Sequence, residues 1–223
     1  MVTFDGSRLT IEDIVDIAQQ SSNAELSTNS EFRSRISRGS SFLDKLLEED
    51  GEIYGVTTGY GDSCTVSIPS DLVTELPKHL YTFHGCGLGA MLSPTAGRAA
   101  LAVRLTSLCQ GYSGVSEILL EQLERLLKLD IIPVIPEEGS VGASGDLTPL
   151  SYIAAVLCGE REVYYQDEIR QTKDVFQELN ITPIVLRPKE GLAIMNGTAV
   201  MTAIACLAYS RAEYLAKLAT RIT

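Results

Sequence analysis

The sequence predicts a mainly α-helical protein with shaped glycine loops and one small β-hairpin, leading into a long-helix bundle that the chain enters and truncates. Three observations predict it. Apolar residues recur three and four positions apart in most segments, clear alternation is confined to residues 162–170, and helix formers dominate from about residue 190 onward.

Thr10 followed by Asp13 has the form of a capping box, and Ile11, Ile14, Val15 and Ala18 then recur at helical spacing, giving a first helix over about residues 11–20. A second stripe carries Phe32, Ile36, Gly39, Phe42, Leu43, Leu46 and Leu47 and stops in Glu48-Glu49-Asp50 before Gly51. Residues 51–61 hold four glycines, Tyr54, Tyr60 and the β-branched Val56, Thr57 and Thr58, and so form a shaped loop. Helical spacing resumes near residue 70, with Pro77 as a boundary or kink. Ser93-Pro94 supplies an N-cap and a proline at the first helical position, and Leu101, Leu105 and Leu108 carry that helix to about residue 110. Ser116 opens the next, with Leu119, Leu120, Leu123, Leu126 and Leu127 inward and Glu121, Glu124 and Arg125 outward.

The two prolines in 131–136 hold that segment extended and deliver it into a Gly/Ser loop over 137–146. Thr148-Pro149 is expected as N-cap and first residue of a helix reaching about residue 158. Alternation over 162–170 predicts a hairpin turning at Gln166-Asp167. The last helix is interrupted by Asn196-Gly197 and meets no capping glycine or proline before Thr223, which predicts a missing partner for its apolar surface. With no internal repeat or linker, the expected division is a domain over 1–188 followed by the start of the bundle over 189–223.

Composition narrows the function. A net charge of −11 argues against a nucleic-acid groove or an anionic membrane surface as partner. With 45% hydrophobic and 21% charged residues, the chain buries a real core and is not globally disordered. Five cysteines, spread widely and without a CxxC pair, fit reduced thiols better than a disulfide framework or a zinc site. The amino terminus lacks an apolar signal run, and the most apolar stretch, residues 199–209, is expected to be too short to span a bilayer. A cytoplasmic setting follows as the expectation.

Two histidines, His79 and His84, cannot build a three-histidine metal centre, there is no HExxH, and no metal site is expected. Gly85-Cys86-Gly87-Leu88-Gly89 follows a helix rather than a strand and lacks the GxGxxG spacing, so it is expected as helix-to-helix close packing. Gly142-Ala143-Ser144-Gly145 is not a P-loop, for no Lys-Ser/Thr follows, and no later histidine could serve it as a nucleophile elbow. Another chemistry fits. In a tightly bent Ala143-Ser144-Gly145, the glycine amide nitrogen can attack the alanine carbonyl, and dehydration of the ring and of the serine side chain leaves an exocyclic methylidene electrophile. Gly145 keeps the approach open, small Ala143 leaves its carbonyl accessible, and Ser144 supplies the hydroxyl that is lost. On its own the tripeptide is equally an ordinary turn.

The surrounding segment, Gly139-Ser-Val-Gly-Ala-Ser-Gly-Asp-Leu-Thr-Pro-Leu-Ser151, resembles the prosthetic-group segment of the aromatic amino-acid ammonia-lyases, the family of histidine, phenylalanine and tyrosine ammonia-lyases and related aminomutases. In the same order along the chain, Ile53-Tyr-Gly-Val-Thr-Thr-Gly-Tyr-Gly61 resembles that family's tyrosine loop, and Leu192-Ala-Ile-Met-Asn-Gly-Thr-Ala-Val200 its asparagine segment. The resemblance implies an ammonia-lyase-like amino-terminal domain in which Ala143, Ser144 and Gly145 become 4-methylideneimidazol-5-one (MIO), formed autocatalytically with no external cofactor. It implies that Asp146 and Gly61 support the loops, that Tyr54 removes the β-proton, and that Asn196 lies against the prosthetic group and the substrate. Phe83, His84 and Leu147 are implied at the substrate, although Tyr54 as a packed loop tyrosine, Asn196 as a helix kink and His84 as a structural residue remain open. Tyr60 and Gly59 are expected to shape their loop rather than react.

The implied reaction is the non-oxidative elimination of ammonia from an L-aromatic amino acid to give the α,β-unsaturated acid. An aminomutase or a catalytically silent helical scaffold are the alternatives. Phe83-His84 mixes the residue pairs typical of histidine lyases with those of phenylalanine and tyrosine enzymes, so the substrate ring stays open. Family chains are longer, so the resemblance implies the amino-terminal part of a homotetrameric enzyme whose carboxylate-binding arginine lies elsewhere. Neither Arg98 nor Arg104 sits at a matched carboxylate-binding position, and the 223-residue chain is expected to be inactive alone.

Overall fold

Local signals build most of the helices. In the computed structural model, which describes residues 1–49, 51–144 and 146–222, Thr10 accepts from the Asp13 N–H and the Asp13 carboxylate accepts from the Thr10 N–H, completing the expected capping box. That box starts α1 (Ile11–Ala18), which links β1 (Val2–Phe4) to its parallel partner β2 (Ala24–Leu26). The helix ends short of the expected residue 20 because Gln20 adopts φ +59. Asn29 caps α2 (Ser30–Glu48), which buries Phe32, Ile36 and Leu43, whereas Phe42, expected on the same stripe, is exposed.

After the loop over 51–60 and a short 3-10 turn at Gly61–Ser63 comes α3 (Leu76–His84). Pro77 sits in its first turn, so it marks a boundary and not a kink, and residues 70–75 form turns where helix was expected. The glycine run then feeds β3 (Leu88–Met91), which corrects the expected helix-to-helix contact to a helix-to-strand one. Ser93 caps α4 (Pro94–Cys109), and Ser116 caps α5 (Glu117–Lys128), both as expected.

The Pro-containing segment divides into β4 (Ile132–Pro133) and β5 (Pro136–Glu138). In α6 (Thr148–Leu157) the cap position belongs to Leu147 and no side chain caps it, so Thr148 is the first helical residue and not the N-cap. The hairpin is β6 (Glu162–Tyr165) and β7 (Glu168–Gln171), turning through Gln166 and Asp167 at φ +53 and +61. Such a two-residue turn with both central residues left-handed matches strand twist. There follow α7 (Thr172–Glu178), too short to show a period in sequence, then α8 (Glu190–Met195) and α9 (Ala199–Ile222). β3 pairs antiparallel with β5, and β4, β6 and β7 form a second small antiparallel sheet.

The core is organised around α4, which packs on α1, α5 and α9. Ala99, Ala100 and Ala102 let those neighbours approach, while Leu101, Leu105 and Leu108 are fully buried, each leucine worth about 1.5–3 kcal/mol of apolar burial. α6 is buried all round, between α3 and α8. A smaller cluster of Leu43, Ile53, Val56 and Val73 fastens the tyrosine loop to α2. Ala199, Val200, Ala203, Cys206 and Leu207 turn inward from the first half of α9, while Tyr214, Leu215 and Ile222 are exposed beyond it.

The stretch Glu190–Ile222, which contains the shorter apolar run 199–209, is long and apolar enough to cross a membrane by length and composition alone. Its most apolar window is 56% buried, a property shared with core helices. Among the described residues the five cysteines are free, and no cluster of three or more metal-ligating side chains occurs.

Candidate active site

The loop after β5 is organised by one carboxylate. Asp146, itself buried, accepts from the Ser140 hydroxyl and from the Val141 N–H at 3.1 Å, and Gly142 N–H donates to Ser140 Oγ at 3.2 Å. The Asp146 N–H donates to the Ala143 carbonyl at 3.1 Å, a turn-type contact between residues three apart. Ala143 and Ser144 are exposed at its tip, and Gly145 lies outside the described residues. The turn fits the group implied for these residues, since the bend is tight and the hydrogen bond polarises the one carbonyl that the ring closure needs as electrophile.

Ser144 lines a cavity of about 650 Å³ together with Asn196, Thr198, Thr202 and Arg104. Asn196 ends α8 with an extended backbone, φ −85 and ψ 112, so the helix breaks there before α9 begins. Arg104 from α4 explains the break. Its guanidinium, only 4% exposed, donates to the Ala193 carbonyl and to the Asn196 carbonyl, the latter at 3.0 Å. These are carbonyls of a helix end that otherwise lack partners. Glycine at 197, with φ +154, leaves room for the guanidinium, since a Cβ there would stand 2.6 Å from Arg104 Nη1. Burial pushes the guanidinium down to about 10, and its Nε has no hydrogen-bond partner among the described residues. Sequence reasoning considered Arg104 only as a carboxylate ligand. The missed signal was a charge set among Ala100, Leu101, Leu105 and Leu108, on the buried face of its helix.

The tyrosine loop forms a second group. Gly55 has φ +68, and a Cβ there would overlap Leu192 Cδ2, so the loop seats directly on α8. Tyr54, half exposed, accepts from the Gly61 N–H at 2.9 Å through its hydroxyl. Tyr60 Oη lies 3.2 Å from His84 Nε2, and Phe83, 76% exposed, stands edge-on to the His84 ring at 5.2 Å between centroids. Burial raises the Tyr60 phenol and lowers the His84 imidazole. Behind this pair, Arg161 covers the Tyr152 ring at 4.5 Å and donates to the Gly85 carbonyl, while Gly87 N–H donates to Tyr152 Oη. Leu147 lies in the main hydrophobic core.

The cavity lined by Ser144 and Asn196 is not lined by Tyr54, Phe83 or His84. The two groups are joined by α8, which carries Leu192 under Gly55 and Asn196 at its far end, about 6 Å along the helix axis. Three ordered segments thus converge on one short helix and the loop beside it, and residues 9–223 match one family profile, that of aromatic amino acid lyases. The chain belongs to the aromatic amino acid lyase family.

Among relatives of this lyase chain, histidine ammonia-lyase of Staphylococcus aureus is 40% identical over 211 residues, covering 95% of the chain and 42% of the relative. The chain therefore spans about two fifths of the length of the curated relatives it matches. Tyrosine aminomutase from Streptomyces globisporus superimposes with a TM-score of 0.88 at 36% identity, over 95% of this chain and 39% of that one. Histidine ammonia-lyase from Trypanosoma cruzi gives 0.87 at 32% identity, over 97% and 41%. The mainly α, ammonia-lyase-like fold expected from sequence is the fold observed.

Proposed function

We propose that this chain carries the electrophile-bearing part of an ammonia-lyase that eliminates ammonia from an L-aromatic amino acid, with L-histidine the first substrate to test. The observation that carries the reading is the turn closed by Asp146, with Ser144 at its tip, facing the same cavity as Asn196. The amine of an amino acid is a poor leaving group and its β-proton is weakly acidic, so the reaction needs an electrophile for nitrogen and a base for carbon. MIO made from Ala143, Ser144 and Gly145 supplies that electrophile. Asp146 holds the turn, and the Asn196 carboxamide offers both donor and acceptor to a ligand in the cavity. Tyr54 takes the β-proton, and the hydrogen bond that its oxygen accepts from Gly61 strengthens with negative charge on that oxygen. Phe83 and His84 meet the substrate ring.

The reading includes a homotetramer, supported by the exposed apolar residues of α9, and a cytoplasmic setting, supported by five free cysteines. The excess acidic charge favours a small-molecule partner over nucleic acid or an anionic membrane surface. The 223-residue chain alone is inactive in this reading, since it spans about two fifths of the length of its ammonia-lyase relatives and Tyr54 does not line the cavity that Ser144 and Asn196 share. Intact mass tests the central claim: the chain loses two waters, and the Ser144→Ala chain does not. An unmodified wild-type mass would sink it. Products formed by the full-length form from L-histidine, L-tyrosine and L-phenylalanine, followed by ultraviolet absorbance of the unsaturated acids, then assign the substrate. The likeness to a tyrosine aminomutase favours a second reading, in which the amine returns to the β-carbon, and a β-amino acid product distinguishes it.

A further inference from the structure

Tyr60 comes from the shaped loop and His84 from the last turn of α3, and they meet through one hydrogen bond, Oη to Nε2 at 3.2 Å, with ring centroids 5.9 Å apart and planes inclined by 50°. Both side chains are half-buried, and desolvation disfavours charge on each, raising the phenol and lowering the imidazole. At neutral pH the pair is therefore a neutral phenol beside a neutral imidazole. A neutral imidazole has one donor and one acceptor nitrogen, and the bond made by one fixes the role of the other.

The Tyr60 hydroxyl meets no other acceptor among the described residues. A hydroxyl that donates to Nε2 leaves the ring proton on Nδ1. The Nδ1 atom has no protein partner among the described residues, so a proton there is free for a ligand. Phe83, edge-on at an interplanar angle of 89°, restrains the ring that carries it.

We infer that Tyr60 is a positioning residue that sets ring specificity: by holding His84 in its Nδ1–H tautomer, it makes His84 a donor that selects substrate rings bearing an acceptor. The bare nitrogen of an imidazole and the oxygen of a phenol satisfy that donor, and an unsubstituted phenyl ring does not. The contact between His84 and the substrate ring rests on the function proposed above, whereas the tautomer rests on the Tyr60–His84 geometry.

The chain has two histidines, so 15N spectra of the full chain labelled in histidine are simple. His79 is exposed and lies 3.6 Å from Glu75, and His79→Gln assigns the pair of signals without touching the site. In the wild type His84 is expected as the Nδ1–H tautomer, and in Tyr60→Phe it shifts toward the Nε2–H form favoured by free imidazole. Titration with L-histidine, L-tyrosine and L-phenylalanine, read at the His84 signals, is expected to show the first two binding on the order of tenfold more tightly than the third. Tyr60→Phe should collapse that ratio. A wild-type His84 protonated on Nε2, a ratio unchanged by Tyr60→Phe, or no response of His84 to any of the three amino acids overturns the inference. The wild-type tautomer is measured independently of whether the variant folds. Intact mass on the same sample keeps the two readings apart: an unmodified loop with the tautomer and the binding ratio intact sinks the proposed elimination and leaves this inference standing.

Discussion

The Arg104 guanidinium donates to the carbonyl of Asn196 at 3.0 Å, across 92 residues of sequence. It also donates to the Ala193 carbonyl, so a buried cation occupies the C-terminal end of α8, where unpaired carbonyls carry partial negative charge. No carboxylate pairs with it among the described residues. Replacing it by methionine keeps the length and removes both hydrogen bonds. Arg104→Met is expected to cost about 1.5–3 kcal/mol in urea denaturation. Arg104→Lys, with a point charge in place of a planar fork, should recover part of the loss. An unshifted midpoint for Arg104→Met would show that the clamp contributes nothing.

Asp146 is the hub of the turn that presents Ser144. Asp146→Ala releases the Ser140 hydroxyl and the Val141 N–H together, so the segment leading into the turn loses its anchor although the backbone bond to the Ala143 carbonyl can persist. The expected outcome is a chain that folds with a near-native circular dichroism spectrum but fails to lose two waters. Full dehydration in Asp146→Ala would mean that the bend is held by something else.

Gly55 and Gly61 both have positive φ, at +68 and +60, but only Gly55 has a neighbour within reach. Gly61→Ala is expected to cost only the backbone strain of a left-handed alanine, about 1–2 kcal/mol. Gly55→Ala adds an overlap with Leu192, and overpacking contributes a further ~1–3 kcal/mol. Thermal melts of the two variants should rank accordingly, and equal melting temperatures would refute the seating of the loop on α8.

Burial pushes the Cys109 thiol up to about 12 and the Cys158 thiol up to about 11, from 9.0. A thiol with a raised folded value stays protonated in the native state while the unfolded chain ionises. Its stabilising contribution is therefore complete below 9.0 and is lost as pH rises towards 11 and 12. Stability should fall over that alkaline window, and Cys109→Ala should flatten the fall. At mildly alkaline pH, exposed Cys64 and Cys86 should react with a thiol reagent well before Cys109 and Cys206, which are buried. A single rate for all five would contradict the packing.

Whatever depends on a few neighbouring residues was legible in the sequence. The Thr10–Asp13 box, the serine caps of α4 and α5 and the Gln166-Asp167 turn are contacts between residues no more than four apart, so composition and spacing specify them. The three motif segments and their order likewise identified the family without coordinates. Local signals misled where a longer-range contact decided the outcome. Thr148 looks like a cap, yet Leu147 holds that position, and the Gly85–Gly89 run serves a strand pairing with β5 that no neighbouring residue announces.

By itself, then, the sequence determined the helical class, most of the helices and the family. Only the tertiary structure decided which residues meet. Arg104 on Asn196, Gly55 on Leu192 and Tyr60 on His84 join segments separated by many turns of chain. A buried charge or a shared proton takes its role from the partner that packing brings to it, and that partner is set by the whole core rather than by the residues alongside.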